Sequence, residues 1–294
     1  MISTRTNLIG WLLCLPAILI FGTFFLGPAL VGLYVSFFKW NGSSPHMLFV
    51  GAQNYVSVVT DGRFQNALVV TLVALAAMLT IKLPLALLLA AGLTGQSWIN
   101  RLFRSALFLP NVLSTTVVAV IWIFLLDPYQ GLVNYALRGI GLASWQQGWL
   151  GQSSTALPSV LIAAAWWTFG FYVVLFTAGM ARIPQDYYDA VKIETTSRLL
   201  ALRYVTIPLL REQIFVACIM TTGGVFGYLT GLFLLLSGGG PAGRTETLGI
   251  VSYFTAFRGL DFGRATTISV IVLAVVSAVV LVPALRVARH RLEF

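Results

Sequence analysis

Charge is what this 294-residue sequence has least of: only 9% of its residues are Asp, Glu, Lys or Arg, while 58% are hydrophobic. A soluble domain carries about 25% charged residues, so with a mean hydropathy of +0.89 a water-soluble globular fold is excluded. Cysteine is nearly missing. Cys14 and Cys218 both lie in apolar stretches, where a thiol behaves as a small hydrophobe, and neither a disulfide framework nor a metal site is implied. The two histidines, His46 and His290, have no partners at ligand spacing and read as solvated loop or tail residues. No Ser–His–Asp, Cys–His or paired-carboxylate arrangement sits at usable spacing, so the chain is not expected to be an enzyme. The formal net charge of +9 raises nucleic acid as a partner. In so apolar a chain the bias of Lys and Arg toward cytoplasmic loops explains it more simply, and no nucleic-acid partner is expected.

What the sequence has in abundance is long apolar runs. Six blocks, at about 8–37, 66–93, 106–126, 159–181, 214–236 and 265–285, are each near the roughly 20 residues that cross a hydrocarbon core. The first follows only Arg5 and is too long for a secretory signal, so it reads as a retained span despite Pro16, Gly27 and Pro28, which neighbouring helices can accommodate. The expected fold is all-α and integral to a membrane, with six transmembrane helices and both termini on one side. Basic residues set the orientation. Arg5, Arg101, Arg104, Arg182, Lys192, Arg198, Arg203, Arg211, Arg286, Arg289 and Arg291 fall on one side, against Lys39, Arg63, Arg138, Arg244, Arg258 and Arg264 on the other. The first set, and both termini, therefore face the cytoplasm. No internal repeat or separate soluble domain is visible, and residues 1–294 read as a single transmembrane domain.

Between blocks four and five, residues 183–210 form a polar interruption with helix signals. Pro184 suits a first helical turn, with Asp186 and Asp189 near its positive end. Thr195, Thr196 and Ser197 are cap and turn residues, and Leu199, Leu200, Leu202 and Val205 leave one apolar face before Pro208 interrupts the ladder. Two short helices joined by a bend would rest on the cytoplasmic membrane surface and offer a polar face outward.

This segment resembles the cytoplasmic coupling loop of permease subunits in binding-protein-dependent ABC carbohydrate importers, the maltose and glycerol-phosphate branch. The matching positions are Asp189, Ala190, Val191, Glu194, Thr195, Thr196 and Pro208, with Thr195 standing where the family has glycine. Further similarity lies in Trp40-Asn41-Gly42, Phe49 to Tyr55, Leu109-Pro110-Asn111, Gly131 to Asn134, Trp149-Leu150, Gly238-Gly239-Gly240-Pro241, Thr245 to Leu248 and Asp261 to Ala265, so it extends over nearly the whole chain. The resemblance implies a permease subunit of the plasma (inner) membrane that moves a sugar or related polyol inward by alternating access. It implies as partners a second permease in a heterodimer, two copies of a cytoplasmic ATPase and an extracytoplasmic substrate-binding protein. ATP and Mg would be used by the ATPase, with no cofactor bound by this chain. Asp189, Ala190, Val191, Glu194, Thr195, Ser197, Arg198 and Pro208 would form the ATPase-coupling element.

Four features are weighed on their own residues. Lys82 is the one formal charge well inside a predicted span, with Pro84 two residues on. A charge at that depth is costly and faces a cavity or partner, pairs with an interhelical carbonyl, or snorkels. Asn111, Trp166, Trp167, Phe171, Tyr172, Thr222, Phe226 and Tyr228, with Lys82, are candidates for a substrate path, because aromatic faces stack on sugars and amides read hydroxyls. Interfacial belts and helix packing are the competing reading. The glycines at 223, 224, 227 and 231 suggest a close packing seam. Finally, Gly238 to Thr245 imitates a P-loop with Arg244 in place of the lysine. It follows a membrane helix, contains Pro241 and lies on the outer side, so it reads as a tight loop. Without a nucleotide site the chain must borrow energy. The rival class is a self-powered secondary transporter or channel, which would show inverted repeats and intramembrane acidic groups.

Overall fold

A computed structural model describes residues 4–95, 97–194 and 197–290. The helices in chain order are α1 (Thr4–Phe21), α2 (Gly27–Val35), α3 (Gln53–Val59), α4 (Gly62–Ala77), α5 (Leu83–Gly92), α6 (Trp98–Val112), α7 (Thr115–Leu125), α8 (Leu132–Gly139), α9 (Ala156–Met180), α10 (Gln185–Glu194), α11 (Arg198–Ala201), α12 (Ile207–Leu209), α13 (Arg211–Phe226), α14 (Leu229–Ser237), α15 (Leu248–Phe257) and α16 (Phe262–His290). Two short strands, β1 (Phe38–Lys39) and β2 (Leu48–Phe49), pair antiparallel with Phe38 opposite Phe49.

Three π-helical turns, Gly22–Leu26, Met78–Lys82 and Leu202–Thr206, share one cause. Each closes two residues before a proline: Pro28, Pro84 and Pro208. Proline has no N–H and its ring collides with the carbonyl four residues back. In each case the residue just before the proline bonds five residues back instead, Gly27 to Gly22, Leu83 to Met78 and Ile207 to Leu202. Widening the preceding turn lets the helix continue through the proline.

Among the described residues four helical runs are long and apolar enough to cross a bilayer: Leu12–Val35, Gly62–Gly92, Ala156–Met180 and Phe262–Leu281. They correspond to blocks one, two, four and six. The other two blocks are interrupted. Block three is divided at Leu113–Ser114, where α6 and α7 meet at 102°. Leu113 is extended and the Ser114 hydroxyl accepts the Val117 N–H to start a new helix, a cap signal that the apolar run hides. Block five ends α13 at Gly227, whose φ of −117° and ψ of −107° are open to a residue without Cβ, and α14 resumes at Leu229. The glycines read as a packing seam thus also hold a break.

The chain contacts separate into two units, residues 1–64 with 251–279, and residues 65–250 with 280–294. In the first, Asn54 ties the turn after α2 to the hairpin by donating to the Ser36 and Phe38 carbonyls, both at 2.9 Å. Thr267 of α16 also donates to Ser36 O at 3.1 Å, and Arg264 pairs with Asp61 at 2.9 Å. The second unit has its core where α5 lies along α9. Leu83, Ala86, Leu87, Ala90 and Leu93 meet Tyr172, Val173, Phe176 and Met180, with Leu202, Leu210 and Ala217 closing the cluster. The 3–4 residue spacing places each set on one helix face, and the fully buried alanines let the helix axes approach. Between α9 and α6 the approach is closer still. A Cβ on Gly170 would stand 1.9 Å from the Leu107 carbonyl oxygen.

Candidate functional site

The π turn of the second span determines where Lys82 points. The side chain, 4% exposed, lies against α9, with Nζ 3.4 Å from Thr168 Oγ1 and 3.9 Å from the centre of the Tyr172 ring. Thr168 and Tyr172 are four residues apart on α9 and so share a face. A ring face is a favourable seat for a desolvated ammonium. All nine acidic residues of the sequence lie outside the interiors of the apolar blocks, so an aromatic and a hydroxyl stand where a carboxylate would be expected. Among the described residues the ammonium's contacts are this hydroxyl and this ring.

Next to this pair the break after α13 adds Tyr228. Its ring crosses that of Trp167 edge-on at 5.9 Å, and its hydroxyl comes within polar-interaction range of Tyr172. The ring also lies over Gly224, where an added Cβ would be 2.8–2.9 Å from its atoms. Trp167 donates its indole N–H to Leu113 O at 3.1 Å, the carbonyl freed by the bend between α6 and α7. Lys82, Trp167, Tyr172 and Tyr228 therefore form one connected group, joined by Thr168, which the sequence had not singled out. The four-residue interval from Thr168 to Tyr172 was the signal available for it.

The remaining path candidates separate from this group. Phe171 touches Tyr172 edge-on at 5.3 Å and is half-buried. The Thr222 hydroxyl is turned back to the Cys218 carbonyl at 2.8 Å. Asn111 and Phe226 are half-buried. Trp166 packs on Trp122 instead, at 5.8 Å.

At the other end of α9, α10 lies on the surface. Asp186, Tyr187, Asp189 and Ala190 are exposed, whereas Tyr188 and Val191 are half-buried, the three-residue step of a helix with one face down. Tyr188 meets the Thr206 hydroxyl at 3.1 Å, and Gln185 donates to Asp189 at 3.3 Å. A cavity of about 620 Å³ opens beneath, lined by Thr94, Met180, Tyr188, Val191, Leu202 and Thr206 among others. Ser197 is exposed and its hydroxyl accepts the Leu200 N–H at 3.5 Å, and Pro208 follows the third π turn. Thr195 and Thr196 lie outside the described residues, as do the side chains of Glu194 and Arg198.

The glycine-rich loop after α14 closes on itself. Thr245 Oγ1 donates to Gly240 O and contacts Ser237 Oγ, both at 2.7 Å, the Gly240–Pro241 peptide is cis, and Asn66 donates to Gly243 O at 2.9 Å. The hydroxyl that a P-loop would present to a metal is occupied inside the loop. Among the described residues no group of three or more His, Cys, Asp or Glu could hold a metal ion.

Comparison with known proteins follows the same lines. The family model of binding-protein-dependent transport system inner membrane components matches residues 82–291. The chain is 32% identical to the probable ABC transporter permease protein YurN of Bacillus subtilis (strain 168), covering 93% of this chain and 94% of that protein. It is 31% identical to the diacetylchitobiose uptake system permease protein NgcF of Streptomyces coelicolor, covering 87% and 75%. A chain in the crystal structure of a bacterial alginate ABC transporter, in complex with an alginate pentasaccharide-bound periplasmic protein, superimposes with a TM-score of 0.79. It is 21% identical and covers 94% of this chain and 93% of that one, a likeness of fold.

Proposed function

The chain belongs to the binding-protein-dependent transport system inner membrane components, and on that premise we propose that it is the permease of an importer for a carbohydrate or related polyol. The observation that carries this reading is the family match, which begins at Lys82 in the second span and runs through the last. The diacetylchitobiose system of one relative and the alginate of the structural neighbour support a sugar as cargo. In this reading residues 1–294 form one transmembrane domain of six spans, two of them bent, with both termini cytoplasmic. A second permease, two copies of an ATPase that uses ATP and Mg, and an extracytoplasmic binding protein complete the machine.

The Lys82, Trp167, Tyr172 and Tyr228 group is the proposed wall of the path, with Asn111, Phe171, Thr222 and Phe226 as further proposed path residues outside that group. Rings offer faces to sugar C–H surfaces, and the tyrosine and threonine hydroxyls offer donors and acceptors. The proposed coupling element is α10 with the segment to Pro208, comprising Asp189, Ala190, Val191, Glu194, Thr195, Ser197, Arg198 and Pro208. Its exposed acidic face meets the ATPase, and its half-buried face bears through Tyr188 on Thr206, in the turn before α12, while its first residue follows closely on the end of α9. ATPase closure would then push one end of α9, whose middle carries the path residues.

Reconstitution tests this. Purified with its partner permease and ATPase in lipid, the chain should give ATP hydrolysis that rises on addition of the loaded binding protein, together with sugar uptake. Uptake by this chain alone, driven by an ion gradient, would establish the self-powered alternative.

A further inference from the structure

The extracytoplasmic segment between α7 and α9 has an arrangement that the transport reading does not use. Helix α8 is two-faced, and its few polar groups have fixed positions. Asn134, 3% exposed, is the internal tie. Its Nδ2 donates to Pro128 O and Gln147 O at 3.0 Å each, and its Oδ1 accepts from Trp149 Nε1 at 2.8 Å and Gln147 N at 3.3 Å. All the hydrogen-bonding capacity of that amide is spent within the segment. The helix thereby turns its one uncharged polar side chain inward.

What α8 turns outward is apolar. Leu132, Tyr135 and Ala136 are exposed on one face, and beyond its end Ile140 and Trp145 are exposed at 70% and 64%. The charge in the helix is Arg138, in its last turn, exposed at the flank of that face. No described residue of the chain covers this surface. It also has a neighbour of the same kind, because α7, which leads into α8 through a six-residue turn, exposes Val117, Val120, Ile123 and Phe124 along a predicted span.

We propose that α8 and the turn to Trp145 lie in the outer headgroup region of the bilayer. Leu132, Tyr135, Ile140 and Trp145 enter the acyl boundary, and Arg138 meets lipid phosphate. Three arguments select lipid as the occupant. The apolar face adjoins the exposed apolar side chains of α7, the second half of a bent apolar helix pair. Tyr and Trp favour the interface, where one end of the ring is dry and the other wet. A short helix with an apolar face and a basic flank suits the headgroup boundary. Asn134 then has a clear purpose, since it holds the loop in the shape that keeps this face pressed to the membrane.

The test is site-directed nitroxide labelling of the assembled transporter in phospholipid nanodiscs, after Cys14 and Cys218 are replaced by Ala. Labels at Leu132→Cys, Tyr135→Cys and Ile140→Cys, like a reference label at Phe124→Cys, should collide more with oxygen than with a water-soluble nickel chelate. A label at Ser153→Cys, on the exposed loop, should show the reverse. Labels on α8 that behave like the one at Ser153 would overturn the proposal. So would lipid-like values that become protected from oxygen when binding protein is added, because the face would then belong to a protein partner. The measurement needs an assembled complex and no transport, so its outcome is independent of what cargo the permease carries.

Discussion

Replacing Lys82 by Met is the perturbation whose two effects should have opposite signs. The 10 residues of α5 separate Lys82 from the end of its span, about 15 Å along the axis, so the ammonium is well inside the hydrocarbon. Placing a lysine near a span centre costs about 2.5–3.5 kcal/mol on insertion scales. Against this stand the Tyr172 ring at 3.9 Å, worth about 2 kcal/mol when desolvated, and the contact to Thr168 at 3.4 Å, long for a hydrogen bond and worth about 0.5 kcal/mol. The net cost of keeping the lysine is then between about 0 and 1 kcal/mol, and a methionine of similar length fills the same space. Lys82→Met should leave the thermal stability of the purified complex unchanged or slightly raised while lowering uptake in vesicles. Lys82→Arg should restore part of the uptake. Wild-type uptake in the Met variant would show that the lysine is merely tolerated. Loss of the assembled complex would show that the two contacts are worth more than these values and that the residue is structural.

The other predictions use the same geometry. Gly170→Ala must separate α9 from α6, because its Cβ would lie 1.9 Å from Leu107 O where ordinary contact begins at 3.4 Å. Overpacking of that kind costs about 1–3 kcal/mol, and the complex should melt lower in a detergent thermal-shift assay while Gly223→Ala, whose Cβ would meet open space, should not. Asn134→Ala removes four side-chain hydrogen bonds and leaves Trp149 Nε1 without its acceptor, so a loss of about 2–4 kcal/mol is expected, read as faster proteolysis of residues 127–155. Replacing Asp189 and Glu194 together by Asn and Gln should reduce uptake per ATP hydrolysed with the subunits still co-purifying, and unchanged coupling would remove α10 from the mechanism. The Asp127 carboxyl is held below the ordinary carboxylate value by the backbone N–H groups of Gln130 and Tyr129. Its contribution is therefore present above the unfolded pKa and lost as pH falls through the lower folded one. Asp127→Ala should remove the acid end of any pH dependence in the same proteolysis assay.

Composition and hydropathy were enough to read a helical membrane chain, and the family resemblance was carried by residues at fixed intervals, because both depend on which residue types are present and how far apart. Breaks within helices were harder to see. The run from Ala106 to Leu126 is predominantly apolar, yet Ser114 caps a new helix there, and the value of a cap is small beside the apolar signal of the whole run. Pro84 announced a disturbance near Lys82, but whether a proline kinks a helix or is absorbed by a wider turn depends on neighbours that pack around it. Thr168 went unnoticed because threonine inside an apolar helix usually bonds its own backbone, as Thr168 does to Ala164 at 2.9 Å. Its second contact, to Lys82, comes from a helix more than eighty residues earlier.

The three π turns suggest why such irregularities recur in a chain that must change shape. A helix that passes a proline through a widened turn keeps its backbone bonded, so it can bend in lipid without exposing a carbonyl, which would cost several kcal/mol there. In the second span that turn carries Lys82 to α9, and in the segment before α13 the same device lies between α10 and the next span. If these turns are the flexing points, Pro84→Ala should let the turn relax to ordinary helix, withdraw Lys82 from the Tyr172 ring and lower uptake as Lys82→Met does. The double variant should then be no worse than either single one, since both remove the same contact. Additive losses would show that Pro84 serves the shape of the span and Lys82 something else.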